Sequence, residues 1–207
     1  MKKSRIISLA VLGVIFAAVA CLGLAGVMTG AEEQVHKFLN PAGSTNFIFK
    51  AFTDLGEAVG VIGVILVFLV LPATRRNIGV PLGITVASSF LVSRLIKELA
   101  ARERPLEKLL EVGGYSFPSG HATNNAALYI GIMLLVLPLL KKRRQKIAVS
   151  AVCILTTLII GISRVYFNVH YLSDVICGWC LGAMFAIIFT EMYFKLEKRR
   201  AEKHERN

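Results

Sequence analysis

The sequence predicts an all-α, integral-membrane bundle of about six transmembrane helices with both termini cytoplasmic. Three observations carry that reading. Hydrophobic residues fill 55% of the 207 positions and the mean hydropathy is +0.64, too apolar for an ordinary soluble domain. The apolar residues gather into about six runs near the length that crosses a hydrocarbon core. Basic residues then fill every other connection between runs, as cytoplasmic loops do.

The first run, 6–28, follows Lys2, Lys3 and Arg5. A basic start before about twenty-three apolar residues suits a retained helix, although Ala18-Val19-Ala20-Cys21 has a faint likeness to a lipoprotein cleavage site. Residues 29–57 form an outward connection. Its Glu32, Glu33, His36 and Lys37 suit a short amphipathic helix on the membrane surface, and a plain loop fits equally well. The stretch from Pro41 to Thr45 marks a break within it.

Runs two and three, 58–71 and 78–96, are separated by Arg75 and Arg76. Run four, 122–140, starts just after Pro118 and Ser119, a helix-start signal, and ends at Lys141, Lys142, Arg143, Arg144 and Lys146. Runs five and six, 147–162 and 175–194, precede a tail with Lys195, Lys198, Arg199, Arg200, Lys203 and Arg206. The second and fifth runs are short, so they are expected to borrow flanking residues or to sit beside the active-site end. Gly178 with Gly182, and Gly56 with Gly60, have the small-residue spacing that lets helices approach closely in lipid. No repeat or linker divides the chain, so residues 1–207 are read as a single membrane-embedded domain.

A net charge of +11 raises the question of nucleic acid, but the basic residues are dispersed between apolar runs and no aromatic-interleaved face accompanies them. All four cysteines lie in apolar runs, which argues against a secreted disulfide framework. Cys177 and Cys180 have the spacing of a redox pair, yet no strand precedes them as that motif requires.

Three segments place polar groups at outward helix ends, where they are costly unless used. The first runs from Lys97 to Arg104 and Pro105, within 97–105; seven positions separate the two cations, so they share a face if the helix continues that far. The second is Pro118-Ser119-Gly120-His121, within 118–121, where free amides at a helix start bind phosphate oxygens. The third spans 163–174, with Ser163, Arg164, His170 and Asp174; His170 and Asp174 are i and i+4, so on a helix the carboxylate takes the Nδ1 proton and leaves Nε2 free as a nucleophile.

Lys with six residues before Arg-Pro, then Pro-Ser-Gly-His, then Ser-Arg with His and Asp at fixed distances: together these resemble the tripartite signature of the type 2 phosphatidic acid phosphatase superfamily. The likeness covers roughly 58–194. The resemblance implies a catalytic set in which His170 attacks phosphorus, Asp174 orients it, and His121 protonates the leaving oxygen and then activates water. It also implies that Lys97, Arg104, Arg164, the Ser119 hydroxyl and the Gly120 amide bind the phosphoryl oxygens.

The expected activity is that of a multi-pass lipid phosphatase of the plasma membrane, with its site on the non-cytoplasmic side. The substrate is a bilayer lipid phosphate or pyrophosphate: phosphatidylglycerophosphate, phosphatidic acid, diacylglycerol pyrophosphate or undecaprenyl pyrophosphate. No metal or other cofactor is expected, and neither nucleic acid nor an obligate protein partner. Vanadium haloperoxidases have a similar site but are typically soluble. A non-catalytic protein binding or transporting anionic lipids needs the cations but not an oriented His170.

Overall fold

The computed structural model describes residues 3–205, so Lys2 and Arg206 of the basic clusters lie outside the described residues. The described elements are helical: α1 (Lys3–Leu24), α2 (Thr29–Leu39), α3 (Phe47–Leu55), α4 (Ala58–Val70), the single turn α5 (Pro72–Thr74) running through a π-helical turn (Arg75–Gly79) into α6 (Val80–Ala100), then α7 (Gly120–Val136), α8 (Arg143–Tyr166) and α9 (Leu172–His204). Among the described residues, five helices are long and apolar enough to cross a membrane, α6 counted with the turns that lead into it. The second predicted run is shorter than a span: α4 has 13 residues and reaches spanning length only together with α3, from which it bends by 57°, the geometry of a broken span or of a re-entrant pair. The short fifth run recruits its flanks and becomes the 24-residue α8.

α9 is the axis of the bundle, with α1, α6 and α7 packed around it. Its contact with α7 depends on glycine. A Cβ on Gly182 would stand 2.2 Å from the Thr123 carbonyl, and one on Gly178 would stand 2.8 Å from that of Ser119. This is the small-residue approach expected from the spacing, and it draws the start of α7 against the start of α9. An apolar core of Val61, Ile78, Leu82, Val86, Ala127, Leu128 and Leu135 fills the space between α4, α6 and α7. The outward faces remain apolar, with Val14, Val59, Val67 and Leu91 exposed, as suits a bilayer rather than water.

The two ends of the bundle differ. At one, Arg5 pairs with Glu191 at 2.6 Å and Arg76 approaches Glu197 at 3.8 Å. At the other, the end of α6, the start of α7, the end of α8 and the start of α9 converge beneath α2 and α3. About 25–35 Å of helix separates Asp174 from Glu191 and Glu197 at 1.5 Å per residue. The basic clusters and the signature residues therefore occupy opposite ends.

Three local expectations need correction or completion. α6 stops at Ala100, and Ala101 takes a left-handed φ of 44° while its N–H closes on the Lys97 carbonyl. Arg104 consequently stands in an irregular connection, and Lys97 and Arg104 do not share a helix face; Pro105 disfavours helical backbone at Arg104. His170 also precedes α9 instead of lying on it, and Asp174 occupies the third helical position, where Oδ2 accepts from the Tyr171 N–H at 3.0 Å. Residues 29–57, finally, form two helices. Asn40 Nδ2 donates to the Tyr166 carbonyl at 3.3 Å and His36 Nδ1 lies 3.0 Å from the Val165 carbonyl, which straps α2 to the end of α8.

Candidate active site

After α8 the chain turns sharply, because the Arg164 carbonyl accepts from the N–H groups of both Val169 and His170. That turn brings His170 to the mouth of the bundle with only 3% exposure. Its Nδ1 lies 3.4 Å from Asp174 Oδ2 and 3.3 Å from Ser116 Oγ, while Ser116 Oγ also donates to Asp174 Oδ2. Its Nε2 lies 3.1 Å from Arg104 Nη1. A guanidinium only donates, so Nε2 is the acceptor and the ring proton resides on Nδ1, where it donates to Ser116 Oγ and lies at ion-pair distance from Asp174 Oδ2. Burial pushes the His170 pKa down to about 3, against the pull of Asp174, with Arg104 and Lys97 opposing protonation as well. The ring is therefore neutral, with its lone pair on the nitrogen that faces the cation.

Arg104 makes several bonds. Nη1 also donates to the Val169 carbonyl at 2.7 Å, Nη2 to Gly113 at 3.1 Å and Nε to Gly114 at 2.9 Å. Desolvation lowers its pKa, though an arginine remains charged at any physiological pH. Lys97 is buried, and its three ammonium donors reach the carbonyls of Tyr115, Ser116 and Pro118 at 2.8, 3.1 and 2.9 Å. Lys97 thus ties down the loop carrying Ser116 and brings a positive charge, but its donors are already engaged.

Ser119 caps α7: its Oγ accepts from the Ala122 N–H at 3.4 Å, and its own N–H donates to the Asp174 carbonyl at 3.0 Å. Gly120 is the first residue of that helix and His121 the second. His121 Nε2 is 3.3 Å from Glu57 Oε1, within ion-pair range, yet the angle leaves that buried nitrogen without a hydrogen bond. Arg164 is 2% exposed; Nη1 donates to Thr53 Oγ1, and its buried Nε has no partner. Buried donors left unpaired are uncommon and costly, and an incoming anion is what such donors accommodate.

All eight residues singled out in the sequence lie at this end of the bundle, in or beside the mouth. Reading the sequence alone missed Arg102, Glu32, Ser116, Glu57 and Thr53. Arg102 Nη1 reaches Asp174 Oδ1 at 2.6 Å, and its Nη2 reaches Glu32 Oε2 at 3.1 Å. Glu57 had one local signal, its place directly before an apolar run, but that position more often marks only a helix start.

The profile of the PAP2 superfamily matches residues 78–198, more than half of the chain and all three signature segments. The chain belongs to the PAP2 superfamily. Among its relatives is phosphatidylglycerophosphatase B of Bacillus subtilis, 33% identical over 114 residues, which cover 53% of this chain and 55% of that protein. The chain thus spans about half the length of that relative. An undecaprenyl-diphosphatase of Sulfolobus acidocaldarius is 28% identical over 172 residues, 79% of each chain. The crystal structure of a transmembrane PAP2-type phosphatidylglycerolphosphate phosphatase from Bacillus subtilis superposes with a TM-score of 0.80 at 24% identity, covering 91% of this chain and 96% of that one. The bundle therefore has the transmembrane PAP2 fold.

Proposed function

We propose that this chain is a membrane lipid phosphatase that removes the terminal phosphate of a lipid phosphate or pyrophosphate through a phosphohistidine on His170. One observation carries the reading most directly: a neutral imidazole has its proton on the side of Ser116 and Asp174 and its lone pair turned toward a guanidinium. A site that only bound an anion has no use for that orientation.

In the first step the Nε2 lone pair forms the P–N bond as the bond from phosphorus to the lipid oxygen breaks. His121 passes a proton to that oxygen, and the alcohol or shorter phosphate departs. In the second step His121 takes a proton from water, whose oxygen attacks phosphorus; the P–N bond breaks, and inorganic phosphate leaves with His170 neutral again. Arg104, Arg164 and Lys97, with the first amides of α7, supply the positive field for the equatorial oxygens. Phosphoryl transfer needs chiefly such positioning and charge. Three fixed cations provide it within the chain, so turnover is expected to continue in EDTA, which a release assay with and without chelator checks.

The lipid character rests on a groove of about 500 Å³ that leads from Glu57, His121 and Lys97 along Val61, Ile65, Val86 and Phe90 between α4 and α6. A phosphate at its polar end leaves room for an acyl or prenyl chain along its apolar walls. The phosphatidylglycerophosphatase and the undecaprenyl-diphosphatase to which the chain is similar point to the same substrate class. The placement of basic residues opposite the mouth supports a plasma-membrane protein with its site on the non-cytoplasmic side.

The test is phosphate release by detergent-solubilised protein across a panel of lipid mono- and pyrophosphates. Release from at least one lipid, lost in His170→Ala, is expected. No release from any of them, or equal turnover by the variant, would overturn the reading.

A further inference from the structure

We propose that Arg102 and Glu32 are positioning residues of the reaction: a buried carboxylate–guanidinium pair that clamps Asp174 from behind and so sets the angle of the His170 ring. The inference rests on the phosphatase reading given above. It concerns two residues outside the tripartite signature, one in the spacer between Lys97 and Arg104, the other on α2, before the family match begins at residue 78.

Asp174 is fully buried and its two oxygens have separate tasks. Oδ2 faces the His170 ring, the Ser116 hydroxyl and the Tyr171 N–H. Oδ1 is taken by Arg102 Nη1 at 2.6 Å, and the same nitrogen donates to Ser173 Oγ at 2.7 Å. A carboxylate rotates about its Cβ–Cγ bond, and a bond to Oδ1 is what stops that rotation from carrying Oδ2 away from the imidazole. Arg102 is the group that makes it.

The guanidinium is itself held on three further sides. Nη2 meets Glu32 Oε2 at 3.1 Å, while Glu32 Oε1 accepts from the Ser173 N–H at 2.8 Å. The guanidinium carbon lies over the Tyr171 ring, 4.0 Å from its centroid. From α1, Gly23 closes the remaining side: a Cβ there would stand 2.6 Å from Ser173 Oγ and 3.4 Å from Arg102 Nη1. Side-chain exposures of 11% for Arg102 and 2% for Glu32 leave both ion pairs well shielded from water. An exposed arginine at a helix end would serve solubility, whereas this one is largely shielded between two carboxylates with a fork that addresses both. The left-handed turn at Ala101 is what directs the chain there after α6 ends.

Electrostatics give the second carboxylate a purpose. Arg102 alone would neutralise Asp174 and weaken its hold on the His170 Nδ1 proton. Sharing the cation with Glu32 leaves Asp174 with negative charge to stabilise the ring as the P–N bond forms. Because Glu32 belongs to α2, the clamp also makes the first helices part of the working site.

The experiment measures kcat and KM for full-length variants in detergent on a lipid that wild type hydrolyses, with His170→Ala as the blank. Arg102→Ala is expected to lower kcat by about 10- to 100-fold, the usual effect of removing a partner that orients a reactive group, with KM within about threefold of wild type, since Lys97, Arg104 and Arg164 remain. Arg102→Lys should recover part of the loss, and added guanidinium should raise the turnover of Arg102→Ala without raising that of wild type. Glu32→Gln should lower kcat less, and its effect should disappear in the Arg102→Ala background, because it acts through Arg102. Wild-type turnover with Arg102→Ala equally active, or with kcat unchanged and KM alone raised, would overturn the clamp and leave the phosphatase reading standing. Multiplying losses in the double variant would overturn the role of Glu32. If Arg102→Ala does not fold, Arg102→Lys and Glu32→Gln decide by the same kcat and KM criteria. An inactive wild type is a failure of the functional reading instead.

Discussion

His170 and His121 lie at the same end of the bundle, one in the turn after α8 and the other at the start of α7, and in opposite states of completion. Around His170, the nitrogen toward Asp174 and the nitrogen toward Arg104 both have partners, and Asp174 is bound in turn by Ser116, Tyr171 and Arg102. Around His121, the facing Glu57 is 54% exposed, Nε2 lacks a hydrogen bond, and the nearby Arg164 has an unpaired Nε. The difference corresponds to the order of events in the proposed reaction. A nucleophile has to be aimed before substrate arrives, and its supports are internal to the protein. The acid and the anion-binding donors act on atoms that the substrate brings, so their bonds are left to be made by it.

That contrast predicts unequal sensitivity around the two imidazoles. Asp174→Asn should be the most damaging change short of removing His170, lowering kcat by about 10³- to 10⁴-fold, as loss of an imidazole-orienting carboxylate does elsewhere; steady-state phosphate release measures it. Arg164→Lys should cost less, about 10²-fold in kcat/KM, because it removes planar donors from the anion while leaving the nucleophile aligned. Glu57→Gln should cost about tenfold or less in kcat, a fraction of the 10²–10⁴ that acid–base catalysis contributes, since its carboxylate is half in solvent and approaches His121 off-line. An Asp174→Asn variant less impaired than Glu57→Gln would reverse the assignment of the two imidazoles.

The pH dependence sharpens the same comparison. Burial depresses the His170 pKa to about 3 in the folded chain, against about 6.5 when unfolded. Between those values the unfolded chain binds a proton that the folded chain refuses, so the contribution is fully present above about pH 6.5 and lost as pH falls toward 3. Thermal unfolding in detergent should therefore shift to lower temperature between pH 7 and 4, and His170→Gln should show a smaller shift. The pH–rate profile is expected to be bell-shaped, as the two imidazoles must hold different protonation states.

What was readable in the sequence and what was not divides along the same physical line. The helices were legible because their apolar lengths and flanking charges are local, and the approach of α7 to α9 because Gly178 and Gly182 mark it. The signature residues were legible as a pattern of spacings. Their roles in detail were less so: the spacing of Lys97 and Arg104 suggests a shared helical face, but Ala101 breaks the helix and the two cations reach the mouth by different routes. The supports of the proposed nucleophile were hidden by distance along the chain. Glu32 meets Ser173 across 141 positions and Arg102 meets Asp174 across 72, and no periodicity encodes such a contact. A buried Glu32 in a polar stretch has the same sequence signature as an exposed one. Lys97 shows the converse, a residue marked by spacing whose donors turn out to hold loop carbonyls.

The most direct test is to quench a rapid turnover of a lipid labelled with radioactive phosphorus in its terminal phosphate and map the covalent label on the protein. Acid-labile, alkali-stable label on His170 of the wild type, absent from His170→Ala and slower to appear in Asp174→Asn, is the expected result. Label on another residue, or label that persists in His170→Ala, would contradict the assignment of His170 as the nucleophile.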